Sequence, residues 1–334
     1  MRQALALRTL SEESVTSYRS VWDGWIAFTL ERGLTWDTAR SSDVRDFLLG
    51  LPARASARGI VTPSTVTQKR YFRVLQEIYA CACANGWIDE VPTNHEAAVS
   101  KTEAHESLVF HRSQWQRLFE ALPEVRDPPA FGMAWTEVRN LALLLLMMQA
   151  ALSVSELSEL NIQDVHSPRF HLSENVSLAL DPPHPPSETA PEPAMLYVSG
   201  ARPYQTRELV LGEPAQTSVM AWMGLRVKMA LHEGLQSPLF ISRKSAGRLT
   251  PKTLFTLANA HIQNTLGPEL GNVALAHAGP MTLRNSCIVR WLDAGLSDSD
   301  VLRRAGLKDT QALGRLRQHV VRSADLSQPM RRDT

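Results

Sequence analysis

The residues of this sequence with the strongest claim to chemistry are its arginines and lysines, because they run in local clusters. From Ala53 to Arg73 the basic residues Arg54, Arg58, Lys69, Arg70 and Arg73 meet no acid. The stretch from Gly200 to Lys252 is basic on balance, and so is the chain from Arg284 onward. Guanidinium and ammonium groups gathered this way can hold phosphates, although a solvated surface uses the same residues. The whole chain is close to neutral, at a formal +1, so any attraction for an anionic polymer must come from such patches. The other chemistry-bearing residues point elsewhere. Cys81 and Cys83 are two apart on a helical stretch and face different ways, and Cys287 stands alone, which fits neither a disulfide framework nor a zinc site. The ten histidines are scattered without an HxxxH pair. No metal and no cofactor is expected.

The elements that must position these groups are mostly helical. Ser11 to Glu31 places Val15, Tyr18, Val21, Trp22, Trp25, Ile26 and Phe28 close to a 3.6-residue period and stops at Gly33. Ser41 or Ser42 can cap a second helix with Val44, Phe47 and Leu48 on its apolar face. A third starts at Thr62-Pro63-Ser64 and runs to the Gly86 stop. A linker without periodicity follows, from 93 to 107. Beyond it, helices are predicted from Ser113 to Leu122, from Val138 to Ala150, and from Ser153 or Ser155 to near Asn161. Two short strand-like runs, Met195 to Ser199 and Glu208 to Leu211, flank a polar turn. Helices resume at Ser218 to His232, Pro251 to Gly267, Leu283 to Gly295, Asp298 to Ala305 and Gln311 to Arg322. The Pro-rich stretch 181–193 cannot pair in a sheet and reads as an inserted loop.

The chain is 334 residues long, 44% hydrophobic and 21% charged, the figures of a globular protein with two ordinary domains. Its longest apolar run, Leu141 to Met148, is far too short to span a bilayer and reads as a buried helix. With no apolar leader after Met1, a cytoplasmic location is expected, nucleoid-associated when on DNA.

Several motifs, in order, resemble those of the tyrosine recombinase (phage integrase) family. Arg139-Asn140-Leu141-Ala142-Leu143-Leu144 and Ala151 to Leu157 are similar to its "RNxALL…GLRxSEL" run. Asn161 to Val165, the Gly200 to Leu211 hairpin and Pro280 to Ser286 stand where "LxWxDI", "GKGxKxRxVPL" and "PHxLRHS" stand in that family. Arg304 to Leu307 replaces "LLGH", and His319-Val320 the end of "YTHV". The resemblance implies a mainly α fold: an N-terminal helical, SAM-like core-binding domain over 1–92, and a recombinase-type domain over 108–322, helical with a small β-hairpin. A tail follows at 323–334.

In that family a tyrosine attacks a DNA phosphate held by two arginines, while a lysine protonates the leaving oxygen. The matching positions here are depleted. The first arginine is Ser153, the lysine Ala201, the two histidine positions Met281 and Leu307, and the tyrosine Leu316 or Arg317. Arg284 alone is retained. No register shift supplies the nucleophile, because the five tyrosines are Tyr18, Tyr71, Tyr79, Tyr197 and Tyr204. Tyr204, on the hairpin turn, would attack from the wrong element. The expectation is a DNA-binding protein that does not cut, regulating or assisting recombination. Its partners would be double-stranded DNA, an active recombinase or further copies of itself, and no membrane. Candidate DNA contacts are Gln68, Lys69, Arg70 and Arg73 on the third helix, with Arg202, Arg207, Arg243, Lys244 and Arg284 beyond it. Two other classes stay open: an active recombinase with another nucleophile such as Ser153, and a protein–protein scaffold that has lost DNA binding.

Overall fold

The computed structural model describes residues 12–51, 65–93, 109–167, 193–200, 202–229, 237–270 and 278–320. The interdomain stretch expected at 93–107, the Pro-rich insert 181–193 and the tail 323–334 fall almost wholly outside the described residues, as does Ala201. The chain divides into two compact units, Met1–His105 and Glu106–Thr334.

Among its described residues the first unit packs three helices, α1 (Glu12–Glu31), α2 (Ser41–Leu49) and α3 (Thr65–Ala84). Their apolar stripes meet in a core containing Val21, Trp25, Val44, Phe47, Leu48, Val74, Leu75, Tyr79 and Ala82. Both long helices end as their glycines predict. Gly33 and Gly86 take φ of +67°, and the next residue's amide turns back to a helix carbonyl, Leu34 to Thr29 and Trp87 to Ala82. At α2 the structure corrects the expected serine cap. Ser41 is already inside the helix, and the Asp43 carboxylate instead accepts the Arg40 amide at 2.8 Å. Aromatic rings fill much of this core. Trp25 meets Phe47 edge-on at 5.2 Å and stacks on Phe28 at 5.7 Å. The polar ends of two of these side chains are closed into a relay. Trp25 Nε1 donates to Tyr79 Oη at 2.8 Å, and Tyr79 donates to the Trp36 carbonyl at 2.7 Å.

The second unit is built round α5 (Trp135–Gln149), whose residues Leu141 to Met148 are all buried, as their apolar run implies. It packs on α7 (Ala215–Met229) and α9 (Pro280–Asp293), with α4 (Arg112–Glu120), α6 (Val154–Glu159) and α8 (Pro251–Leu266) alongside. The short helices α10 (Asp298–Ala305) and α11 (Gln311–Arg317) close one side against α9. A three-stranded antiparallel sheet, β1 (Val165–His166), β2 (Met195–Val198) and β3 (Arg207–Val210), has the order β1-β2-β3. Its pairing sets Val198 opposite Arg207 and Val165 opposite Leu196. The two-residue β1 was not visible in the sequence, since two residues show no alternation. Most helix bounds shift from expectation by one to three residues, as at α5, which begins at Trp135 rather than Val138. No helix of the described residues is long and apolar enough to cross a membrane.

Tyr79→Phe strips the acceptor from the buried Trp25 N–H and the donor from the Trp36 carbonyl. It is expected to cost about 1–3 kcal/mol, measured as a lower midpoint in denaturant unfolding followed by tryptophan fluorescence.

Candidate functional site

In the second unit the expected site residues gather where α5 gives way to α6. The α5 helix stops at Gln149, and Ala151 takes a left-handed conformation with φ of 48° at the bend. A non-glycine residue there costs roughly 1–3 kcal/mol, so the surroundings must impose the bend. The turn delivers Ser153 as the N-cap of α6. Ser153 Oγ accepts the Glu156 amide at 3.3 Å, and Glu156 Oε2 accepts the Ser153 amide at 2.7 Å, a reciprocal capping box.

Glu156 does more than cap. Its Oε1 accepts from Arg207 Nη1 on β3 at 2.5 Å, and its Oε2 from Arg284 Nη1 on α9 at 3.1 Å. All three side chains are nearly out of solvent, with 12%, 4% and 10% exposure for Glu156, Arg207 and Arg284. The arginines spend their other donors on backbone. Arg207 Nε reaches the Arg304 carbonyl at 2.7 Å and its Nη1 the Gln205 carbonyl at 2.8 Å. Arg284 Nη2 reaches the Ala305 carbonyl at 2.5 Å, and its Nη1 also donates to the Ala151 carbonyl. Two guanidiniums thus finish the last turn of α10, where carbonyls are left without helix partners and the dipole favours cations. Gly306 ends that helix at φ of +62°, and a Cβ on it would lie 2.6 Å from Arg207 Nη1.

Burial alone would raise the Glu156 carboxyl. The Arg207 hydrogen bond and charge, followed by the charge of Arg284 and the Ser153 amide, overcome it and hold the group below the ordinary carboxylate range. Burial pulls Arg284 down, opposed by the Glu156 charge, yet a guanidinium starting above about 12 stays protonated.

The geometry revises three expected DNA contacts. Arg207 and Arg284 do not face solvent, because Glu156 and helix-end carbonyls occupy them. Gln68 turns inward, its Nε2 donating to the Leu48 carbonyl at the end of α2 at 3.1 Å. The other candidates lie on the surface. Lys69 is exposed with no partner among the described residues; Arg70 is exposed and bonds Ser17. Arg73 pairs with Glu77 at 3.2 Å while its side chain stays 78% exposed. Arg202, at the hairpin turn, is exposed. Arg243 and Lys244 project from a tight turn closed by the Ser242 amide on the Gly247 carbonyl at 2.8 Å. That turn is anchored by Arg248, whose Nη1 bonds the Ser158 carbonyl at 2.9 Å and whose Nη2 bonds Asn161 at 2.6 Å. At the neighbouring start of α8, Thr250 Oγ1 already accepts the Thr253 amide at 3.2 Å, so the helix end is not left wholly open for a phosphate.

At the depleted positions, Ser153 is a helix cap, Met281 is 62% exposed and Leu307 packs against the core. Leu316 is buried at 4%. Arg317 is exposed and forms an ion pair with Asp298 at the start of α10. Among the described residues no group of histidine, cysteine and acidic side chains could hold a metal. Glu156 is the residue of this cluster that the sequence did not single out; its signals were the E of the "SEL" stretch and its place three residues after a serine cap.

Comparison with known proteins agrees with this architecture. No family model matches the chain. The tyrosine recombinase XerC of Alcanivorax borkumensis is 25% identical over 326 residues, covering 96% of this chain and 90% of that protein. Two solved structures share the fold at lower identity. One is the Tn1549 transposon integrase in complex with circular intermediate DNA, with a TM-score of 0.60 at 12% identity, covering 94% of this chain and 92% of that one. The other is a lambda integrase dimer bound to a COC' core site, with a TM-score of 0.56 at 14% identity, covering 96% and 94%.

Glu156→Ala leaves two buried guanidiniums uncompensated and is expected to cost about 3–5 kcal/mol in thermal or denaturant unfolding. A carboxyl held below its ordinary value stabilises the fold above that value and loses its contribution as pH falls through the depressed one. The stability gap between the native chain and Glu156→Ala should therefore be flat near neutrality and shrink below about pH 4.5 in acid melts. Taken together, the helical fold with its small antiparallel sheet and the end-to-end likeness to XerC make this chain similar to the tyrosine recombinases and integrases, with which it shares a fold.

Proposed function

We infer that this chain binds double-stranded DNA without cutting it, and regulates or assists recombination carried out by an active recombinase. The observation that carries the reading is the fate of the nucleophile position. Leu316 is packed into the core and Arg317 is engaged with Asp298, and no tyrosine follows Tyr204 in the chain. The remaining chemistry is depleted as well, since the first arginine position is a helix-capping Ser153 and the histidine positions are Met281 and Leu307. Removing the group that would carry the strand removes the covalent step altogether.

Binding needs less than cutting does. Exposed cations suffice to engage a phosphate backbone, and they persist in both units: Lys69, Arg70 and Arg73 on α3, and Arg202, Arg243 and Lys244 in the second unit. Relatives of this fold have been solved on DNA, the Tn1549 integrase on circular intermediate DNA and lambda integrase as a dimer on a core site. Other copies of this chain are accordingly partners to test beside an active recombinase.

The experiment is capture of a random-sequence duplex pool at two salt concentrations, with the bound fraction then run on a denaturing gel. Non-covalent, salt-sensitive capture is expected. Replacing Lys69, Arg73, Arg202, Arg243 or Lys244 with alanine should flatten the log–log salt slope by up to about 0.9 for each phosphate no longer neutralised. A protein–DNA adduct that survives denaturation would return the chain to the enzymes, with Ser153 and Tyr204 the first residues to replace. No capture at low salt would favour the scaffold.

A further inference from the structure

A turn that only has to reverse the chain is usually made of glycine, asparagine or aspartate, which tolerate the bend and face water. The turn between β2 and β3 carries Arg202, Pro203 and Tyr204 instead, and all three are exposed. It is also held stiffly. The Arg202 amide donates to Gln205 Oε1 at 3.1 Å, the Gln205 amide to the Arg202 carbonyl at 2.9 Å and the Thr206 amide to the Pro203 carbonyl at 3.2 Å. The Gly200 amide closes the base of the turn on Thr206 Oγ1 at 3.3 Å, and a Cβ on Gly200 would lie 2.2 Å from that of Gln205. Pro203 fixes its own φ, and Arg207 ties the Gln205 carbonyl to the end of α10. None of these bonds uses the side chains at the tip. Neither the Arg202 guanidinium nor the Tyr204 hydroxyl has a partner among the described residues. A rigid turn thus holds out a cation and an aromatic ring, with no acid in the sequence from Gly200 to Arg207.

We propose that this tip is a wedge for duplex DNA: Arg202 neutralises a backbone phosphate while the Tyr204 ring, backed by Pro203, enters between two bases at a step it partly unstacks. The proposal rests on the DNA-binding reading above. A ring reaches the flat faces of paired bases only by parting them, and that costs least at pyrimidine–purine steps, which kink easily. Stacking on the ring offsets part of the cost, and a turn already stiff loses little further freedom on binding. The result is a preference for such steps that needs no hydrogen bond to a base. Arg202 contributes salt-sensitive affinity, whereas Tyr204 contributes salt-insensitive affinity and the choice of step.

The test carries the random duplex pool through repeated capture by the full chain and then compares variants on the enriched duplex. Sequences enriched by the native chain should share a pyrimidine–purine step. A duplex with 2-aminopurine at that step should brighten on binding, because the base is unstacked. Tyr204→Ala should bind about tenfold more weakly, with an unchanged salt slope and a dark probe, while Tyr204→Phe should match the native chain. Arg202→Ala should keep the brightening while its slope falls by about 0.9, the share of one phosphate. Undiminished affinity and brightening in Tyr204→Ala overturn the wedge and leave the DNA reading standing. Should Tyr204→Ala not fold, the native chain decides alone: enrichment without a shared step, or a dark probe, overturns the proposal. A chain that captures no duplex at low salt overturns the binding reading and the wedge with it.

Discussion

The second unit is organised by one carboxylate. Glu156 sits on a six-residue helix too short to be stable by itself, yet it links that helix to a strand and to two other helices through Arg207 and Arg284. Ion pairs this far from water are poor sources of net stability, because desolvation offsets most of the attraction. Their effect is on uniqueness. A guanidinium with fixed partners on three elements permits few relative placements of those elements. The apolar core of this unit, rich in leucine and methionine, would otherwise tolerate several.

The same cluster explains why the ends of α5 and α10 have their particular shapes. Ala151 adopts a conformation that suits glycine better, and its carbonyl receives Arg284 there. At α10 the left-handed residue is a true glycine, and the space above it is filled by Arg207. Both bends therefore expose carbonyls to cations rather than to water. The hairpin follows from this: the Gln205 carbonyl and the Arg304 carbonyl are bound by one guanidinium, which fixes where the turn lies against α10.

Much of this architecture was legible in the sequence. Amphipathic stripes such as Val21, Trp25 and Phe28 marked helices and their buried faces, and Gly33 and Gly86 marked their ends, because local periodicity and backbone chirality act over a few residues. The Pro251 start of α8 and the β2–β3 hairpin were equally local. What stayed hidden depended on distant pairing. Strand β1 exists only because Val165 finds Leu196. Gln68 reads as a surface side chain until Leu48 is brought to it, twenty residues away. Arg207 and Arg284 read as phosphate ligands because a guanidinium's sequence neighbours do not reveal its acceptors. Their shared acceptor lies 51 and 128 residues earlier in the chain.

The placement of Leu316 decides what a side chain at that position can present to a partner. With 4% of its surface exposed, the side chain belongs to the apolar core beside Leu313, on a helix whose exposed positions include Arg315 and Arg317. A tyrosine written there would arrive in a crowded interior, with its hydroxyl seeking a partner among carbons, and would not be presented to anything outside. A tyrosine at 317 would instead displace the pair with Asp298 that ties this helix to its neighbour. Either replacement would first require the last two described helices to repack, so the end of this helix is fixed by its interior as much as by its surface.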